Sequence, residues 1–284
     1  MNKNIQQYLN SFKLGKEFVH TFVTDLVSLS LIILVFTWFS SYLQQRSLIL
    51  LQGRTTAELQ QMLLSLKPEQ LQPFMVALKW FLIIAVLGIV ILIAASFLFF
   101  SYSRARVWNY LQGKLVNRSN YWRWNILHLS LIVPLLLFIV VLFIVKLLLS
   151  LLLSLPQKIM PVFYFTHSLL MENIRLLFDG AALFYMAILL LVIIFLIYQH
   201  FVKSYRVWDS IGAGFSTFKK NWKKTALLVL FATVTACLAT LIFLPIKKAL
   251  IFYPLLSAVL YLTLTAFFIA WLTVYVSHAL HGHQ

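Results

Sequence analysis

Six long apolar runs divide the chain, at about Leu26–Leu43, Val76–Phe100, Ile126–Leu153, Ala181–Phe201, Ala226–Leu244 and Phe252–Val276. Each approaches or exceeds the roughly 20 apolar residues that carry a helix across about 30 Å of hydrocarbon. The runs are continuous rather than alternating, so they predict transmembrane helices and not barrel strands. Between the runs the pattern changes. Trp208, Ile211, Phe215, Phe218 and Trp222 step by three and four, the spacing of one stripe on a surface helix.

That stripe has an echo. Arg106-Val107-Trp108 returns one hundred positions later as Arg206-Val207-Trp208, and the same offset pairs Trp122 with Trp222 and Arg123 with Lys223. In this register the earlier segment reads Trp108, Leu111, Leu115, Arg118 and Trp122. A weaker third copy, Tyr8, Ser11, Gly15, Phe18 and Phe22, precedes the first run. The expected fold is therefore an all-α integral membrane domain over residues 1–284. Its six transmembrane helices form three parallel hairpin repeats, at about 6–100, 106–201 and 206–277, each preceded by an amphipathic cytoplasmic helix. Each unit carries two spans, so all three share one orientation, unlike inverted repeats.

Composition agrees with a membrane protein. The 284 residues are 62% hydrophobic, with a mean hydropathy of +0.92, too apolar for a soluble domain of this length. The net charge of +16 would suggest nucleic acid in a soluble protein. Here the cations sit in short segments beside apolar runs, where they set topology, and nucleic acid is set aside as a partner. Fourteen Lys and Arg fall on the side of the repeated connectors and seven on the other. This places the protein in the cell membrane as a multi-pass chain with both termini cytoplasmic. The first run is expected to stay as a span rather than be cleaved as a signal peptide.

On the outer side, Thr55–Leu66, which opens with a Thr-x-x-Glu capping pattern, and Thr166–Phe178 read as short amphipathic surface helices, with Pro156 and Pro161 breaking the chain before the second. Pro245 to Pro254 covers a tight reversal.

The segment Asp209-Ser210-Ile211-Gly212-Ala213-Gly214-Phe215, followed by Phe218-Lys219-Lys220-Asn221-Trp222 and an apolar run, resembles a connector of certain prokaryotic six-span membrane proteins. That group includes uncharacterised proteins and the membrane domain associated with glycerophosphodiester phosphodiesterases. The resemblance covers about Arg104 to Leu244 and implies a membrane module. It implies no catalysis, because the sequence contains no soluble phosphodiesterase domain.

No reactive constellation emerges from the sequence. Lys79, Lys146, Asp25 and Asp179 fall near span ends and read as interfacial anchors, and none of the seven acids lies near mid-membrane. His20, His128 and His200 read as interfacial packing. His278, His281 and His283 lack an acid or thiol to complete a metal set. Cys237 lies in an apolar run as a buried thiol, and Gly212 and Gly214 form no phosphate loop. No catalytic, cofactor or metal residues are assigned.

What remains is a basic, aromatic belt: Arg106, Trp108, Trp122, Arg123, Arg206, Trp208, Lys219, Lys220, Trp222 and Lys223, read as contacts for lipid headgroups or a partner. The expected function is a non-enzymatic membrane module that organises lipid, anionic lipid in particular, or a membrane or cytoplasmic protein at the inner surface. A transporter or channel for an apolar or amphiphilic solute is the alternative, suggested by Ser28, Ser30, Thr233, Thr235, Tyr261 and Thr265 within the spans. A membrane enzyme acting on lipid ranks behind both.

Overall fold

A computed structural model describes Gln6, Tyr8, Ser11, Phe12 and residues 15–51, 68–159, 168–250 and 252–281. The described residues form seven helices: α1 Lys16–Leu51, α2 Pro68–Leu111, α3 Arg118–Ile159, α4 Ser168–Ser204, α5 Val207–Lys220, α6 Trp222–Ala249 and α7 Pro254–His281. Six of them, all but α5, are long and apolar enough to cross a membrane. The protein is a multi-pass α-helical membrane protein. Large apolar side chains along α1, α2, α3, α6 and α7 stay exposed, as surfaces facing lipid rather than water require.

Helix α4 is the hub. More than half of its span is buried, and it packs against α2, α3, α5, α6 and α7. Its buried side chains Ile188, Val192, Leu196 and Phe201 follow helical spacing on one face of the core. Helix α1 packs most extensively on α7 and α2, which joins the two ends of the chain. Gly88 of α2 permits part of that contact, because a Cβ there would collide with the Phe39 ring of α1. Side chains of residues just before α1 and at its start also reach α6 and α7. Trp271 Nε1 donates to Ser11 Oγ at 3.1 Å, the Tyr8 hydroxyl lies 2.7 Å from Thr235 Oγ1, and His278 Nε2 is 2.8 Å from Glu17 Oε2.

Several local expectations need revision. The pattern at Thr166–Phe178 predicts a separate surface helix, but α4 runs unbroken from Ser168 to Ser204. Pro156 does not stop α3, which continues to Ile159. Pro245 likewise lies inside α6, and the reversal is confined to the residues between Ala249 and Pro254, the latter at the first position of α7 where its missing N–H costs nothing. The segment Thr55–Leu66 lies outside the described residues.

Three segments that share a sequence register take three different conformations. Arg106, Val107 and Trp108 are the last turns of α2, and residues 112–117 that follow are not helical, so Trp108 to Trp122 is not one stripe. Arg206 is instead the N-cap of a separate helix, α5. Tyr8 and Ser11 tuck between α6 and α7, with the Tyr8 ring stacked on Phe231 at 4.6 Å. Among the described residues, an amphipathic connector helix stands only between α4 and α6.

Candidate functional site: a basic connector pole above a buried ion pair

Both connectors meet at one pole of the bundle. Helix α4 ends at Ser204, and Tyr205 takes a left-handed backbone with φ 52° that turns the chain into α5. A side chain with a Cβ is costly in that region unless its surroundings hold it. Here the surroundings come from the other connector and from α4 itself. The Tyr205 hydroxyl donates to Asn109 Oδ1, Lys114 Nζ lies 5.4 Å from the Tyr205 ring centroid, and Phe201 meets the ring edge-on at 5.6 Å. Lys114 Nζ also donates to the Val202 carbonyl at 2.6 Å, a cation placed on the open C-terminal carbonyls of α4. Burial pushes the Tyr205 phenol above its ordinary pKa, against the opposing pull of a hydrogen bond from Asn120.

Helix α5 lies along α4 through its small face. Ser210 and Gly214 are buried, and Thr217 Oγ1 sits 2.8 Å from His200 Nε2. A Cβ on Gly214 would stand 3.1 Å from the Ile197 Cα, so glycine is what lets the two backbones approach. With positions 210, 214 and 217 turned inward, the aromatic stripe divides. Ile211 and Phe218 pack partly against the core, while Trp208 and Phe215, with Trp222 at the start of α6, stay exposed. The flanking charges suit the helix dipole: Asp209 is in the first turn of α5 and Lys219 and Lys220 are in the last. Arg206 pairs with Asp209 at 3.5 Å on the surface, where such a pair adds little stability.

Of the belt residues expected from sequence, Arg106, Trp122, Arg123, Arg206, Trp208, Lys219, Lys220, Trp222 and Lys223 are exposed at this pole. Trp108, expected beside them, is 0% exposed, against 74% for Trp208. Its ring packs on Phe195 and Tyr198 of α4, at 5.7 and 6.0 Å. The physical reason is continuity. Helix α2 runs through Trp108 and keeps it facing α4, whereas the break at Tyr205 resets the helical phase before Trp208.

Below this pole lies a polar cluster that sequence reasoning missed. Asp25 of α1 and Arg104 of α2 form an ion pair, their side chains 0% and 6% exposed. Asp25 stands nine residues into α1, about 14 Å along the helix axis. It is therefore a core residue rather than the interfacial anchor expected, and Arg104 is not a loop cation. His128 of α3 is 7% exposed, with Nδ1 at 2.8 Å from the Trp124 carbonyl and 3.1 Å from Ser101 Oγ. Arg104, His128, Ser28 and Tyr198 form the polar part of a cavity of ≈ 300 Å³ between α1, α2, α3, α4 and α7. Phe97, Phe100, Leu131 and Phe195 supply much of its apolar wall. Beyond Phe100 the buried positions 101, 104, 105 and 108 keep helical spacing, so α2 continues past the end of its apolar run and carries Arg104 on its inner face.

The fold and the two sites define a multi-pass helical membrane protein with a basic aromatic pole and an interior polar cavity. Comparison with protein-family models, with characterised proteins and with solved structures gives no match.

Proposed function

We propose that the chain is a non-enzymatic membrane module that gathers anionic lipid at the inner leaflet, with the connector pole and both termini on the cytoplasmic side. The observation that carries this reading is the outer face of the second connector. Trp208, Phe215 and Trp222 stand exposed in a row, with Arg206, Lys219, Lys220 and Lys223 beside them. Indole rings favour headgroup depth, and each cation near an anionic leaflet contributes about 1 kcal/mol. Arg106, Trp122 and Arg123 extend the same chemistry across the first connector. The interleaving of exposed indole rings with Lys and Arg matches the aromatic and basic composition expected at an anionic headgroup layer. The contacts of Gly214 and Thr217 with α4 support the reading too, because they hold the aromatic face outward. The resemblance of the connector to those of six-span membrane modules belongs to the same proposal.

The test is the lipid that copurifies from a mixed membrane. The fourfold variant Arg106→Glu, Arg206→Glu, Lys219→Glu and Lys220→Glu should lose most of its enrichment in phosphatidylglycerol over phosphatidylethanolamine while still inserting. Undiminished enrichment in an inserted, folded variant refutes the proposal.

A further inference from the structure

Between α2 and the start of α3 lies an open groove of ≈ 550 Å³, a volume typical of ligand sites. Its floor is one stripe of α2, where Ala95, Leu98, Phe99 and Tyr102 keep helical spacing and stand exposed. Asn117 and Arg118 line its connector end. Tyr121 sets the width of the groove. Its hydroxyl donates to the Leu98 carbonyl at 3.0 Å, and its ring meets that of Tyr102 edge-on at 5.8 Å. The groove is therefore amphipathic along its length, apolar toward the span and polar toward the connector. Arg118 is exposed and forms no ion pair among the described residues. Among the described residues that line the groove there is no acid.

We infer that this groove seats one anionic phospholipid whose head carries no cation, phosphatidylglycerol in its chemistry, with the phosphate at Arg118 and an acyl chain along α2. Charge complementarity selects the head. A guanidinium takes two phosphate oxygens at once, and Asn117 and Tyr102 bring further donors to the same end. A head with an ammonium group would set a second cation beside Arg118, with no carboxylate in the lining to meet it. The floor selects the tail. Seven residues of helix separate Ala95 from Tyr102, about 10 Å along the axis, which takes the glycerol and the first carbons of a chain. The chain continues past Ile91, exposed one turn further along the same face. Free phosphate would leave this apolar floor uncovered. Head at the connector and tail along the span is also how a bilayer lipid already lies. The inference rests on the reading of the pole as facing anionic lipid, but none of the lining residues belongs to the belt, so the two can be tested apart.

The test uses the full chain in nanodiscs of equal phosphatidylglycerol and phosphatidylethanolamine. After extraction into mild detergent, native mass spectrometry should find one phosphatidylglycerol retained per chain. Arg118→Glu should lower that retained lipid roughly tenfold, the effect of one charge-assisted contact. The fourfold belt variant should keep it. In the nanodiscs, phosphatidylglycerol with a diazirine near the glycerol end of its chain should label residues 95–102 and 116–121. The matching phosphatidylethanolamine probe should label them less, and dissolved glycerol 3-phosphate should not compete. Ala95→Trp, on the exposed floor, should block labelling. That variant and the comparison of probes keep the test decisive if Arg118→Glu fails to insert. Equal retention of the two lipids, undiminished retention in an inserted Arg118→Glu variant, or labelling elsewhere overturns the proposal. So does competition by glycerol 3-phosphate, as for a free-phosphate site, or a lipid-free dimer, as for a groove filled by a second copy. Bulk enrichment that survives the fourfold variant while Arg118→Glu loses the retained lipid refutes the belt alone, and the reverse refutes the groove alone.

Discussion

The Asp25 carboxylate of α1 and the Arg104 guanidinium of α2 meet as an ion pair in the protein core, both side chains almost wholly removed from solvent. Such a pair is costly to break from one side, because the remaining charge has no compensation. Arg104→Met should destabilise the protein by about 3–5 kcal/mol. The double change Asp25→Leu with Arg104→Met should recover most of that loss. Thermal unfolding in a fixed detergent measures both, and a double variant no more stable than the single one counts against the pair.

The two tryptophans of the repeated tripeptide should behave differently. Trp108 is fully buried between α2 and α4, whereas Trp208 is exposed on α5. Trp108→Ala should cost about 3–5 kcal/mol. Trp208→Ala should shift stability by no more than about 0.5 kcal/mol. Equal effects would contradict the different packing of the two copies.

Gly214 and Gly212 offer a matched test of how α5 docks. A Cβ at Gly214 would press on the Ile197 backbone of α4, whereas one at Gly212 meets nothing within 4 Å. Gly214→Val should cost about 1–3 kcal/mol through overpacking and raise hydrogen exchange along α5. Gly212→Ala should be neutral or slightly stabilising, as expected for glycine replaced in an open helical position. Faster exchange in the Gly212 variant than in the Gly214 variant would argue against the docking.

The connectors should be energetically coupled through Asn109 and Tyr205. Asn109 is fully buried, and Tyr205→Phe leaves its carbonyl oxygen without the phenol that donates to it. The loss should be about 1–3 kcal/mol. A double-mutant cycle with Asn109→Ala should return a coupling of at least about 0.5 kcal/mol. Strict additivity would place the two residues apart.

The spans were legible because a run of apolar residues needs only one chain property, its length, to predict a membrane helix. The exposure of the connector side chains Trp208, Lys219, Lys220 and Trp222 was legible too, from their helical spacing beside a span. Neither the fate of Trp108 nor the pairing of Asp25 could be read in the same way. Whether Arg106-Val107-Trp108 ends one helix or begins another depends on a single backbone break, supplied in the second copy by Tyr205 and held by Asn109 and Lys114 from far along the chain. Asp25 and Arg104 are 79 positions apart, and each alone resembles an ordinary residue at a span end. His128 becomes informative only when the Trp124 carbonyl fixes its tautomer and the cavity beside it is known.

The most direct test of lipid binding at the connector pole is tryptophan quenching by brominated lipid. With the protein in bilayers at a fixed mole fraction of brominated chain, brominated phosphatidylglycerol should quench more fluorescence than brominated phosphatidylcholine. The triple variant Trp122→Phe, Trp208→Phe and Trp222→Phe should remove most of that difference, while the exposed Trp38 and Trp80 are quenched by both lipids and the buried Trp108, Trp124 and Trp271 report an intact core. Equal quenching by the two lipids in the unmodified protein would contradict the account.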